Sequence, residues 1–84
     1  MTVWLRADRI RQILAKKNMS QNALATYAKT GSAYMSQLMT GRRTPSPEMR
    51  ERIMKVLGVK QFDRIFTLEC TYSRKKRRQF LGLN

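Results

Sequence analysis

Ser32, Ala33, Ser36 and Gln37 are uncharged, small or amide-bearing, and spaced by one, four and five residues, so on a helix they share one side. Recognition through hydrogen bonds and methyl contacts is the chemistry open to such a set. Each base pair of duplex DNA displays its own donors, acceptors and methyl groups in the major groove, and a helix carrying these four residues suits that surface. Gln37 is the strongest reader, because its amide can pair bidentately with adenine, and Ala33 can touch a thymine methyl. A plain solvated helix face is the alternative for Ser36 and Gln37.

Positioning such a face requires two short helices joined by a tight turn, and residues 20–41 have that pattern. Leu24, Ala25 and Ala28 share one side of the first of these helices, the two alanines allowing close approach, while Met35, Leu38 and Met39 repeat the spacing in the second. Lys29-Thr30-Gly31 interrupts the period with turn chemistry. Before this pair, a first amphipathic helix is expected from about Leu5 to Lys17, with Ile10, Ile13 and Leu14 inward and Asn18 stopping it. Ser20 is the expected N-cap of the second helix, which then starts at Gln21, and Met19 stands five residues before Leu24 as in a hydrophobic staple. The third helix should span Ser32 to Met39, capped by Thr30, Gly31 or Ser32, and Gly41 should close it.

A basic loop, Arg42-Arg43-Thr44-Pro45, follows. Ser46-Pro47-Glu48 then supplies an N-cap, an N1 proline and a first-turn acid in order for a fourth helix. Its buried stripe is Met49, Ile53, Val56 and Leu57, and Gly58 ends it. A short fifth helix, about Gln61 to Thr67, adds Phe62, Ile65 and Phe66 to the core. Beyond it, Phe66, Leu68, Cys70 and Tyr72 alternate with Thr67, Glu69, Thr71 and Ser73, the two-residue repeat of a strand with one apolar face. No second strand candidate stands out, so such a strand is expected to pair with its copy in another protomer; an extended connector is the alternative.

The chain of 84 residues is long enough for one domain with a limited core. Its net charge of +13 points to a polyanionic partner, because each cation set against a phosphate releases condensed counterions. Residues 70–84 contribute five cations and no acid, with Arg74, Lys75, Lys76, Arg77 and Arg78 consecutive. This run repels itself and suits an anion: it can follow the DNA backbone, enter a narrow minor groove, or act as a nonspecific anchor. A lone cysteine and the lack of any histidine leave no basis for a disulfide or a structural zinc site, and no cofactor or small-molecule ligand is expected. With five scattered acids and no glycine-rich phosphate loop, no nucleophile and base can be paired, so an enzyme is not expected. No apolar run suits a membrane span or signal peptide, which makes a cytoplasmic protein the expectation.

The layout from about residue 5 to 68 resembles the Cro and phage-repressor type of helix-turn-helix protein, the XRE family. Ser20-Gln21, Ala25, Tyr34-Met35-Ser36, Leu38, Gly41 and Lys55-Val56-Leu57-Gly58-Val59 carry the resemblance. It implies an all-α, five-helix, lambda-repressor-like bundle over residues 1–68, with residues 69–84 as a basic extension that can include the dimerising strand. It further implies a repressor-like regulator reading double-stranded DNA with the third helix. Gln21, and less strongly Asn22, would bind backbone phosphate at a helix N-terminus. Lys29, Arg42 and Arg43 would reach flanking phosphates, and Tyr34 would do so through its hydroxyl unless it packs on the core. Specificity in this fold comes from two protomers on half-sites about one turn, roughly 34 Å, apart, so a homodimer is expected, through Thr67 to Ser73 or else the fifth helix.

Two positions depart from the family. Lys29 stands where the turn usually has Gly, which costs on the order of 1 kcal/mol if the left-handed conformation is kept. Either the turn carries that strain or its geometry differs. Ser32 and Ala33 are shorter than the amides often found there, making direct readout at that end sparse. An architectural or accessory factor in recombination or plasmid maintenance is the rival reading. A further one is a scaffold that binds protein while the basic tail binds RNA.

Overall fold

Local capping chemistry sets two of the five helix starts. Ser20 and Ser46 each sit in extended backbone and accept a hydrogen bond from the N–H three residues on, Ala23 N to Ser20 Oγ at 3.0 Å and Met49 N to Ser46 Oγ at 3.1 Å. A computed structural model of the chain describes residues 1–69, in the order β1 (Thr2–Leu5), α1 (Ala7–Lys17), α2 (Gln21–Tyr27), α3 (Ser32–Met39), α4 (Pro47–Leu57), α5 (Phe62–Ile65) and β2 (Phe66–Glu69). Gly31 is the cap of α3, without a side-chain bond.

Helix ends are equally local. Asn18, Lys29, Gly41 and Gly58 follow or close α1 to α4 with φ of 54, 61, 79 and 70°. At each, the next residue's N–H reaches back five positions, as in Thr30 N to Ala25 O at 2.9 Å and Arg42 N to Gln37 O at 2.9 Å, which satisfies carbonyls left over at the helix end. Lys29 therefore keeps the left-handed turn and carries its strain. Lys29→Gly should raise stability by about 1 kcal/mol, seen as a thermal midpoint higher by roughly 4–8 °C. An unchanged or lower midpoint would show that the lysine side chain compensates the strain.

The apolar spacing places the core as expected. Ile10, Leu14, Leu24, Ala25, Ala28, Met35, Leu38, Met39, Met49, Ile53 and Leu57 are all buried, while Ile13 and Val56 are half-buried. Met19 packs half-buried against this core. Pro45, the last residue of the basic loop, is buried too. Among the described residues no helix is long and apolar enough to cross a membrane.

Four expectations are corrected at the chain's two ends. The fold is not all-α, because Thr2–Leu5 is a strand rather than lead-in to the first helix, and it pairs antiparallel with Phe66–Glu69 in the register Thr2↔Glu69 to Leu5↔Phe66. That pairing fills within one chain the edge for which a second protomer was expected. β-branched Thr2 and Val3 and aromatic Trp4 favour the pleated conformation. Arg6 makes the corner, its N–H donating to Ile65 O at 2.8 Å and its Nε to Phe66 O at 3.2 Å. The fifth helix is shorter than Gln61 to Thr67, because Phe66, at φ −128° and ψ 154°, is drawn into the ladder opposite Leu5. Finally, Leu68 shares a face with Phe66 but is 53% exposed, since the core ends at Phe66. Across the other face Trp4 Nε1 donates to Glu69 Oε1 at 3.0 Å, a diagonal cross-strand contact. Cys70, Tyr72 and the rest of the expected Thr67 to Ser73 strand beyond Glu69 lie outside the described residues.

Candidate nucleic-acid interface

Helix α3 is held against α2 by its buried side, and close approach is possible because Ala25 and Ala28 present only a methyl group there. On its other flank α3 touches β1. With Met35, Leu38 and Met39 inward, helical geometry turns Ser32, Ala33, Ser36 and Gln37 away from the core, within an arc of about 140° at about 100° per residue. Ser32, Ala33 and Ser36 are exposed and Gln37 is half-buried. All four expected base readers thus lie together on one open helical face.

The segment that carries that face bears positive charge only. Between Ser20 and Pro45 there is no acid, and the cations are Lys29, Arg42 and Arg43, all exposed. The backbone N–H groups of Arg42 and Arg43 both donate to the carbonyl of Gln37, at 2.9 and 3.2 Å, so the basic loop is folded back onto the end of α3. Arg43 also lies over the ring of Tyr34, 5.7 Å from its centroid, within cation–π range. Tyr34 is half-buried against the core, so its ring packs inward as one of its two expected roles has it, and the same ring also serves as a platform for a cation. No periodicity signals that pairing, because it runs across the helix end and depends on the left-handed turn at Gly41.

At the N-terminus of α2, Gln21 is half-buried and Asn22 exposed, next to the Ser20 cap. Asn22 also accepts, through its carbonyl, the hydroxyl of Thr26 at 3.1 Å. At the other end of α3 the Thr40 hydroxyl turns back to Ser36 O at 3.0 Å, leaving the Ser36 side chain uninvolved. Lys29, in the turn, stands between α2 and α3. Arg74, Lys75, Lys76, Arg77 and Arg78 lie outside the described residues.

Known proteins agree with this geometry. Residues 5–64 match a family described as a helix-turn-helix domain. The fold is similar to the crystal structure of the clp gene regulator ClgR from C. glutamicum, with a TM-score of 0.59 and 26% identity over 69% of this chain and 75% of that one. No curated protein matches the sequence. With the matched region spanning every helix from α1 into α5, the chain belongs to the XRE type of the helix-turn-helix DNA-binding family.

Proposed function

We propose that the protein is a sequence-specific, repressor-like transcriptional regulator that lays α3 in the major groove of double-stranded DNA and acts as a homodimer on a two-fold symmetric operator. The observation that carries this reading is the open outward face of Ser32, Ala33, Ser36 and Gln37, on a segment without acids and flanked by Lys29, Arg42 and Arg43. Such a face can read bases only where nearby cations fix its register on the backbone. Gln21 and Asn22 at the start of α2 add phosphate contacts on one side of the groove, and Arg42 and Arg43 on the other. The Tyr34 ring holds one of those arginines, and the basic run from Arg74 to Arg78 adds contacts from the 69–84 extension. The regulatory role of ClgR favours control of transcription here as well. One α3 offers few base contacts, and a second protomer doubles them.

Selection of bound duplexes from a random pool tests this directly. The expected result is a consensus of two inverted half-sites about one helical turn apart, roughly 10 base pairs between centres. A single asymmetric site would remove the homodimer, and a pool without enrichment would remove sequence reading altogether. Sites overlapping promoters fit a repressor, whereas sites confined to recombination ends or an origin would assign the protein an accessory role instead.

A further inference from the structure

The side of α1 turned from the core carries Arg9, Gln12 and Lys16 at spacings of three and four, so they follow one another along a single stripe. With Ile13, and with Arg64 from α5, they line a cleft of about 60 Å³ at the packed junction of the two helices. None of these residues belongs to the α2–α3 surface. No acid lines the cleft, and the side chains of Arg9, Lys16 and Arg64 have no hydrogen-bond or ion-pair partner among the described residues, where the Glu48–Arg52 pair sits on α4 instead. Asp8 and Asp63 adjoin Arg9 and Arg64 in sequence yet pair with neither. Three cations converging on one small opening repel one another, and an anion seated there turns that repulsion into attraction.

We propose that this cleft binds one phosphate group. The two guanidinium forks suit a tetrahedral oxyanion bidentately, the Lys16 ammonium adds a point charge, and the Gln12 amide supplies a neutral donor for a remaining oxygen. Ile13 forms the apolar floor. A phosphodiester of bound DNA and a free phosphorylated small molecule share this chemistry. The site does not depend on α3 reading a sequence.

Thermal unfolding of the full chain in inorganic pyrophosphate, against sodium chloride at equal ionic strength, tests the site, because a ligand held only by the folded state raises the midpoint. The wild type should show the rise, Arg64→Gln and Lys16→Gln should lose it, and Arg11→Gln, the same charge change on α1 outside the cleft, should keep it. The salt dependence of DNA binding identifies the source. A log–log slope shallower by about 0.9 in Arg64→Gln than in Arg11→Gln assigns the phosphate to the duplex. Equal slopes alongside a cleft-specific midpoint rise assign it to a soluble ligand. A midpoint rise of equal size in all variants, or equal slopes with no rise, would overturn the proposal.

Discussion

Phe66→Ala should destabilise the protein by about 3–5 kcal/mol, the range for emptying a fully buried aromatic site. That is a large share of the roughly 5–15 kcal/mol that holds a small domain together. Phe66 is 0% exposed and stands where α5 becomes β2. Its ring lies 5.1 Å from that of Phe62, its backbone pairs with Leu5, and its carbonyl accepts from Arg6 Nε at 3.2 Å. A cavity there loosens the sheet that joins the two ends of the described chain, and β1 in turn packs on α3. Urea unfolding checks this. The midpoint should fall with the denaturant slope unchanged, as expected when native stability alone is altered. A loss below about 1 kcal/mol would mean that the sheet collapses onto the gap or that Phe66 contributes little to the core.

The contrast between Phe66 and Ser20 shows what a sequence makes legible. Capping is local: Ser20 and Ser46-Pro47 carry their partners within three residues, and the structure uses both. The outward face of α3 is local as well, because a helix of eight residues turns Ser32, Ala33, Ser36 and Gln37 outward once Met35, Leu38 and Met39 turn inward. At the cap of α3, Thr30, Gly31 and Ser32 all have suitable chemistry, and Gly31 takes the position in extended backbone without a side-chain bond. The small sheet is different in kind. Trp4 and Glu69 are 65 residues apart in the chain, so their pairing leaves no periodic trace, and Leu5 fits the end of a strand and the start of an apolar helix face equally well. Alternation from Phe66 to Glu69 does mark two faces correctly, but it cannot say whether anything covers them, and Leu68 is left half uncovered. The cleft between α1 and α5 is a matter of packing. Arg9 and Lys16 at a seven-residue spacing define a basic stripe, but only the packing of α5 brings Arg64 to it.

Gln37→Ala should weaken binding to the selected operator by about 1–3 kcal/mol, some 5- to 150-fold, and leave binding to random duplex nearly unchanged. Gln37 is well suited to this test because its structural role resides in the backbone. Its carbonyl accepts the N–H groups of Arg42 and Arg43, and weakly the Thr40 hydroxyl at 3.4 Å, and all three contacts survive truncation to alanine. Alanine also has the higher helix propensity, so α3 and the basic loop behind it should keep their positions. The amide is then the one group removed, and if it pairs with adenine the loss must concentrate on sequences holding adenine at one position of each half-site. Binding measured on operator variants at that position should show the wild type discriminating and the variant indifferent. Equal weakening on operator and random DNA would make Gln37 a backbone contact or a packing residue, and base readout would then rest on Ser32, Ala33 and Ser36, whose side chains reach less far. If the protein binds as the proposed homodimer, both half-sites lose the same contact, and the operator penalty should approach twice that of an isolated half-site.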